Sequence, residues 1–260
     1  MLHIEKKDEP RVMRTKVAQI KSSPEWKRIE VGNSDALRGQ FDLLPKAEVR
    51  QALLEEQHYL CAYCMKRIGN EELHTTIEHW SPLSKDKDNA LSYHNFLAVC
   101  KGGADVSGNT KGRILCCDAS KGDQEIRIDP VDQEMMSHIV YDKEGGIEFK
   151  PKAPSGRWMT DDIKRINADI NDVLCLNGRP NKHGSRDDTS TGVVKGRKDA
   201  WESGQRILKR LLKKNPNNPE PIRKEIERLQ MAVSREPFVG VTIFYLQRKC
   251  RQMEAQRGSR

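Results

Sequence analysis

Apolar residues three and four positions apart predict helices in five stretches of the chain. These stretches are residues 47–58, 161–176, 192–214, 222–234 and 237–256. Three of the five lie after residue 190, so the end of the chain is predicted to be a helical region. The pattern thus places most of the helical content in the second half.

The middle of the chain has a different pattern. Short apolar runs predict strands at Thr75–His79 and Phe96–Val99, and residues 126–149 predict two further strands around a turn at 141–146. A helix is expected to begin near Cys117, because Asp118 is a favourable residue for a helix start. The predicted class is therefore α+β.

The first 45 residues show little periodicity and contain Pro10, Pro24 and Pro45. They predict an extended arm with at most one short helix. Residues 151–157 are typical of a linker. The expected organisation is an N-terminal arm at 1–46, a central domain at 47–150 and a C-terminal helical region at 151–260.

Length and charge narrow the function classes. The 260 residues can bury at least one core, and no apolar run approaches the ~20 residues that span a bilayer. The beginning of the sequence lacks the apolar segment of a secretory signal, so we expect a cytoplasmic protein with no membrane contact.

The net charge is −3 over residues 1–150 and +11 over residues 151–260, which favours a polyanionic partner. The basic stretch 195–214 fits phosphate binding and a solvated helix face equally well.

Cysteines are concentrated in the central region, where five of the seven lie between positions 61 and 117. In a reducing cytosol such a cluster favours metal binding over disulfides. Cys61 and Cys64 form a CxxC pair, Cys100 ends a strand, and either Cys116 or Cys117 supplies a fourth ligand. Four thiolates in this order predict a structural zinc ion. The remaining two, Cys175 and Cys250, are expected to be buried thiols.

The order of these motifs resembles the HNH endonucleases. It consists of CxxC, then Glu78-His79-Trp-Ser-Pro, then Asn95 before an apolar strand that ends in cysteine, and finally Cys117-Asp118-Ala-Ser-Lys121. The resemblance covers about residues 61–123. It implies a zinc-braced ββα-metal fold, in which a hairpin and a helix surround one catalytic divalent ion.

The resemblance also implies a role for each matching residue. His79 corresponds to the general base, Glu78 and Asp118 to the ligands of a catalytic Mg²⁺ or Mn²⁺, Asn95 to the residue that braces the loop, and Lys121 to a basic residue that contacts phosphate. The zinc ligands correspond to four cysteines, with Cys117 favoured over Cys116 because it is adjacent to the metal-ligand position. They are Cys61, Cys64, Cys100 and Cys117.

A longer resemblance covers most of the chain. Segments such as QHYLCAYC, YHNFLAVCKGG and DVLCLNGRPN are similar to the HNH nuclease subunit of the Septu anti-phage defence system and to related retron-associated nucleases. That family works with a separate ABC/AAA-type ATPase subunit, which implies such a partner here. This chain has no GxxxxGK[ST] phosphate-binding loop of its own.

The expected function is a metal-dependent endonuclease that hydrolyses DNA as the effector of a defence complex. Two alternatives remain. The same chemistry could act on RNA such as tRNA, because nothing in the motifs reads the 2′-hydroxyl. The second alternative is a non-catalytic zinc module that binds nucleic acid or a partner. It remains because Asp118 replaces the His or Asn usual in the family.

Overall fold

The computed structural model describes residues 1–104, 111–152, 157–180, 186–213 and 216–258. The fold is mixed α/β. Its helices are α1 Arg11–Ser22, α2 Pro24–Arg28, α3 Ser34–Phe41, α4 Lys46–Glu56, α5 Cys117–Lys121, α6 Gln133–Ser137, α7 Thr160–Ala168, α8 Val193–Leu212, α9 Glu220–Met231 and α10 Val239–Gly258. Its strands are β1 Thr75–His79, β2 Phe96–Cys100, β3 Ile139–Tyr141, β4 Ile147–Phe149, β5 Arg179–Pro180 and β6 Arg186–Asp187. Short 3-10 turns at Asp88–Leu91 and Tyr93–Asn95 connect β1 to β2.

The strands form three separate two-stranded antiparallel sheets, which are β1–β2, β3–β4 and β5–β6. In the first sheet Thr75 lies opposite Cys100 and His79 lies opposite Phe96. All five residues of β2 are buried, which explains its continuous apolar sequence. The predicted positions of β1 and β2 are confirmed to within one residue.

The prediction of an extended N-terminal arm is wrong. Residues 11–41 form three helices, and their apolar side chains join the core. In α3 the Asn33 side chain accepts a hydrogen bond from the backbone N–H of Ala36 at 3.1 Å and caps the helix. Leu37 and Phe41, four positions apart, are both buried. The prolines mislead because Pro24 occupies the first turn of α2, where a missing N–H costs nothing.

The C-terminal region is helical, as predicted. The helices α8, α9 and α10 pack on one another, and Trp201 of α8 meets Tyr245 of α10 with ring centroids 5.0 Å apart. Gly196 of α8 allows Phe238, the residue before α10, to pack closely, because a Cβ at position 196 would lie 2.2 Å from the Phe238 ring. The predicted helix over 161–176 is α7 followed by a π-helical turn at Asp169–Val173. The expected linker includes residues 153–156, which lie outside the described residues.

Buried apolar residues from the N-terminal helices, the central hairpins and the C-terminal helices belong to one cluster. The central hairpin β1–β2 packs against α4, and its strand β2 also packs against α5. None of the described helices is both long and apolar enough to cross a membrane.

Candidate functional site

The β1–β2 hairpin and the short helix α5 carry nearly every residue that the sequence singled out. Glu78 and His79 end β1, Cys100 ends β2, and Cys117 begins α5. The amide of Cys117 donates to the carbonyl oxygen of Leu174 at 3.0 Å. The segment that follows the π-helical turn therefore anchors α5 beside the hairpin.

Four cysteines lie close enough together to bind a metal ion such as zinc. The sulfur atoms of Cys61, Cys64, Cys100 and Cys117 all lie within 4.8 Å of one another. The Sγ–Sγ distances are 3.9 Å for Cys61–Cys117 and 3.7 Å for Cys64–Cys100. A tetrahedral zinc site with Zn–S bonds of about 2.3 Å requires sulfur–sulfur distances of about 3.8 Å. The donor set thus fits a tetrathiolate zinc site.

Local backbone geometry brings the cysteines together. The amide of Met65 donates to the carbonyl oxygen of Cys61 at 3.0 Å and closes the turn around the CxxC pair. The amide of Cys100 donates to the Cys61 sulfur at 3.3 Å and links the two segments. Gly102 has φ +59°, and a Cβ there would lie 2.0 Å from the carbonyl oxygen of Cys116. A glycine is therefore required where the chain turns back after Cys100.

The fifth cysteine, Cys116, is buried but lies outside the four-thiol set. Its sulfur is 3.6 Å from that of Cys117. The sequence left the choice between these two neighbours open, and the geometry assigns Cys117 to the cluster. Cys175 and Cys250 are both buried, as expected.

Two carboxylates and one ammonium group lie directly beside the thiol cluster. The Lys121 ammonium is 2.7 Å from Glu78 Oε1, and both side chains are almost fully buried. Lys121 also donates to the carbonyl oxygen of His79 at 3.0 Å. Burial, followed by the neighbouring Asp118 carboxylate, raises the pKa of Glu78 to about 8, and Lys121 opposes this shift. The single ammonium group of Lys121 therefore does not offset the combined effect of burial and the Asp118 carboxylate on Glu78.

The sequence predicts a phosphate contact for Lys121, whereas in the structure its ammonium group pairs with Glu78. It is 1% exposed and its ammonium is paired with Glu78, so no phosphate reaches it in this conformation. Its contact with phosphate stays a prediction.

His79 is held at the end of β1 by three contacts. Its Nε2 is 3.0 Å from the carbonyl oxygen of Ala90, in the 3-10 turn that precedes β2. Its ring lies 4.6 Å from the ring of Phe41 and 4.9 Å from that of Phe96, both edge to face. Burial lowers the pKa of His79 to about 4. The imidazole is therefore neutral at pH 7.

Asn95 makes three side-chain hydrogen bonds to the backbone of the loop between β1 and β2. Its Oδ1 accepts from the amide of Ser81 at 2.7 Å, and its Nδ2 donates to the carbonyl oxygens of Ser81 at 3.0 Å and Asn89 at 3.1 Å. These bonds fix the turn that presents the Ala90 carbonyl to His79.

The sequence reasoning missed the part of the site that comes from the N-terminal helices. Phe41 packs on His79, and Arg38 and Lys46 place their cationic groups over the other parts of the Phe41 ring. The sequence does contain a signal for helix α3, because Asn33 is a favourable helix cap and the apolar residues Leu37 and Phe41 follow it at helical spacing. Tyr63, in the CxxC turn, was also missed; its hydroxyl lies 3.5 Å from Glu78 Oε1.

No model of a known protein family matches the chain. A search of curated proteins likewise finds no match.

Proposed function

We propose that this protein is a metal-dependent endonuclease that hydrolyses phosphodiester bonds of DNA, with His79 as the general base. One observation carries the proposal: a neutral, oriented histidine ends β1 directly after Glu78, whose carboxyl group lies against that of Asp118. A base next to a pair of carboxylates is the donor set for metal-assisted hydrolysis.

The tautomer of His79 suits this role. A carbonyl oxygen can only accept a hydrogen bond, so the 3.0 Å contact with Ala90 places the proton on Nε2. The Nδ1 lone pair is then the position that would take a proton from a water molecule, and because His79 is almost fully buried the proposal requires nucleic acid binding to open the site. Because burial keeps the pKa of the imidazole well below 7, the ring is in the form that accepts a proton.

Glu78 and Asp118 are the residues that would hold the catalytic ion. Oxygen ligands suit Mg²⁺ and Mn²⁺, and a bound divalent ion would neutralise charge on the phosphate during hydrolysis. Burial raises the pKa of Glu78, the neighbouring Asp118 carboxylate raises it further, and the Lys121 ammonium opposes both. The site therefore favours an additional cation.

The four-cysteine cluster has a separate task in this proposal. A zinc ion there would join the CxxC turn, the end of β2 and the start of α5. Because Cys117 and Asp118 are adjacent, the same ion would fix the position of one catalytic carboxylate. The zinc ligand set is complete with four thiolates, so it leaves no open position for chemistry.

A specific observation favours a second candidate, a non-catalytic zinc module. The buried ion pair between Lys121 and Glu78 already supplies a cation to the carboxylate that a metal would use. If this pair is permanent, the hairpin is a scaffold for nucleic acid or for a partner. The two candidates differ in whether the histidine matters for phosphodiester cleavage.

We further propose that the protein acts in the cytoplasm as the nuclease of an anti-phage complex with an ATPase subunit. The resemblance of the motifs from 61 to 123 and of later segments supports this setting. The experiment therefore includes the ATPase subunit.

The experiment compares wild type with His79→Gln, which keeps a side-chain N–H for the Ala90 carbonyl. Each protein is incubated with plasmid DNA and with total tRNA in Mg²⁺ or Mn²⁺, with and without the ATPase subunit. We expect wild type to cut DNA and His79→Gln to be about 10²–10⁴ times slower. His74→Gln is the control, because His74 is largely exposed and precedes β1.

Cleavage of tRNA alone would move the proposal to an RNA substrate. Equal cleavage by wild type and His79→Gln would exclude His79 as the base. If the complex with the ATPase cut neither substrate while retaining zinc, the non-catalytic candidate would replace the nuclease.

A further inference from the structure

Two cationic side chains outside the β1–β2 hairpin, Arg38 and Lys46, pack on the aromatic ring that contacts His79. Arg38, on α3, places its guanidinium carbon 5.6 Å from the centre of the Phe41 ring. Lys46, at the start of α4, places its ammonium 4.6 Å from the centre of the same ring. The Phe41 ring also lies 4.6 Å from the His79 ring, so one buried aromatic ring connects both cations to the imidazole.

Other cations near the site already have partners. Lys121 is buried against Glu78, and Lys46 pairs with Asp42 on the preceding turn. The ammonium of Lys87 donates to two backbone carbonyl oxygens of the α2 segment, at 2.9 and 2.6 Å. Arg38 is exposed, and among the described residues no acidic side chain forms an ion pair with it. Its guanidinium is therefore available to an external anion.

The position of Arg38 is fixed by the fold. The helix α3 packs against the 3-10 turn Asp88–Leu91, which supplies the Ala90 carbonyl that holds His79.

We propose that Arg38 binds a backbone phosphate of the nucleic acid next to the phosphodiester at His79. The Phe41 ring, which Lys46 also contacts, supports the Arg38 side chain. This inference rests on the proposed function, because it assumes that nucleic acid lies at His79. A guanidinium has a planar set of donors that matches two phosphate oxygens. Binding to a backbone phosphate positions the substrate without reading its sequence.

The test measures binding and cleavage separately. Binding of a fluorescein-labelled DNA duplex is measured in the His79→Gln background, which prevents cleavage, over a range of salt concentrations. The variants are Arg38→Ala, Arg38→Lys and Arg11→Ala. Arg11 is the matched control, because it is an exposed arginine on α1 with no ion pair among the described residues.

We expect Arg38→Ala to raise the Kd about tenfold on every sequence and to lower the salt dependence by about one counterion. Arg38→Lys should retain part of the affinity, since the charge remains while the second donor is lost. Arg11→Ala should bind as the parent does. With His79 present, Arg38→Ala should raise KM and leave kcat nearly unchanged.

The inference is overturned if Arg38→Ala and Arg11→Ala have the same Kd and salt dependence as the parent. It is also overturned if no DNA or RNA binds to the parent at low salt. If wild type cleaves DNA while Arg38→Ala is unaffected, the proposed function stands and this inference alone fails. If DNA binding depends on Arg38 but wild type does not cleave, Arg38 is a nucleic-acid contact and the proposed catalysis fails.

Discussion

The β1–β2 hairpin and α5 carry two clusters of ionisable side chains, and the two clusters compensate their charge in different ways. The thiol cluster of Cys61, Cys64, Cys100 and Cys117 contains only ligands. The carboxylate cluster of Glu78 and Asp118 contains its own cation, the Lys121 ammonium. A metal ion is therefore needed to hold the thiol cluster together as thiolates, whereas the carboxylate cluster can fold without one.

Under the proposed function, this difference separates stability from activity. Cys117 and Asp118 are neighbours on α5, so the first cluster positions the second. Zinc binding should control whether the hairpin folds, and a divalent ion at the carboxylates should control whether it reacts. The predictions below are arranged from the largest expected effect to the smallest.

Loss of the metal from the thiol cluster should have the largest effect on stability. Structural zinc sites contribute apparent free energies of about 10–16 kcal/mol near pH 7, because the ion binds only the folded ligand set. We expect Cys64→Ser, or a strong chelator, to lower the Tm of thermal unfolding by more than about 15 °C. Cys250→Ser, a buried thiol outside the cluster, is the control. A Tm that does not respond to chelator would show that the thiols are not metal ligands.

Lys121→Met tests the internal cation of the carboxylate cluster. Removing one partner of a buried ion pair costs about 3–5 kcal/mol when the other charge stays uncompensated. The cost should be lower here, because burial already raises the pKa of Glu78 to about 8 and its carboxyl group can take up a proton. We therefore expect a fall of about 2–4 kcal/mol in the free energy of unfolding, measured in urea. Added Mg²⁺ should restore part of it by supplying a cation to Glu78 and Asp118. An exposed pair such as Lys195 and Asp199 serves as the control, since Lys195→Met should change stability by less than about 1 kcal/mol.

Gly102→Ala tests the backbone turn that closes the thiol cluster. A methyl group there would lie 2.0 Å from the carbonyl oxygen of Cys116, so the backbone must shift. We expect a loss of about 2–4 kcal/mol in unfolding free energy, together with faster transfer of zinc to a chelator. Gly112→Ala is matched to it, because Gly112 also has a positive φ but has open space around its Cβ position. A loss of about 1 kcal/mol is expected there, and equal losses in both variants would contradict the contact.

Cys116→Ser should have the smallest effect. Its thiol is buried next to Cys117 but is not one of the four that lie together. We expect one zinc ion per chain to be retained, with a change in unfolding free energy of about 1 kcal/mol from burying a hydroxyl. Zinc content by elemental analysis checks this. Loss of the ion would assign Cys116, rather than Cys117, to the cluster.

The sequence located the hairpin because β2 is a short apolar run that ends in Cys100, and the CxxC spacing indicated the thiol set. It could not give the N-terminal helices, whose prolines lie in first turns or just outside helices rather than in their interiors. It also could not give the pairing of Lys121 with Glu78, since residues 43 positions apart meet only through the packing of α5 on β2. The environment of His79 was missed for the same reason, because Phe41 and the Ala90 carbonyl reach it from two other segments.

The most direct test of the account is to count two kinds of metal ion on one protein. Zinc is measured by elemental analysis on purified wild type, and Mn²⁺ binding is then measured by isothermal titration on the same sample and on Glu78→Gln. The account predicts one zinc ion on both proteins, and one Mn²⁺ ion on wild type that is lost or much weakened in Glu78→Gln. One zinc ion with no difference in Mn²⁺ binding would contradict a catalytic metal at Glu78 and Asp118, and the absence of zinc would contradict the metal-braced hairpin itself.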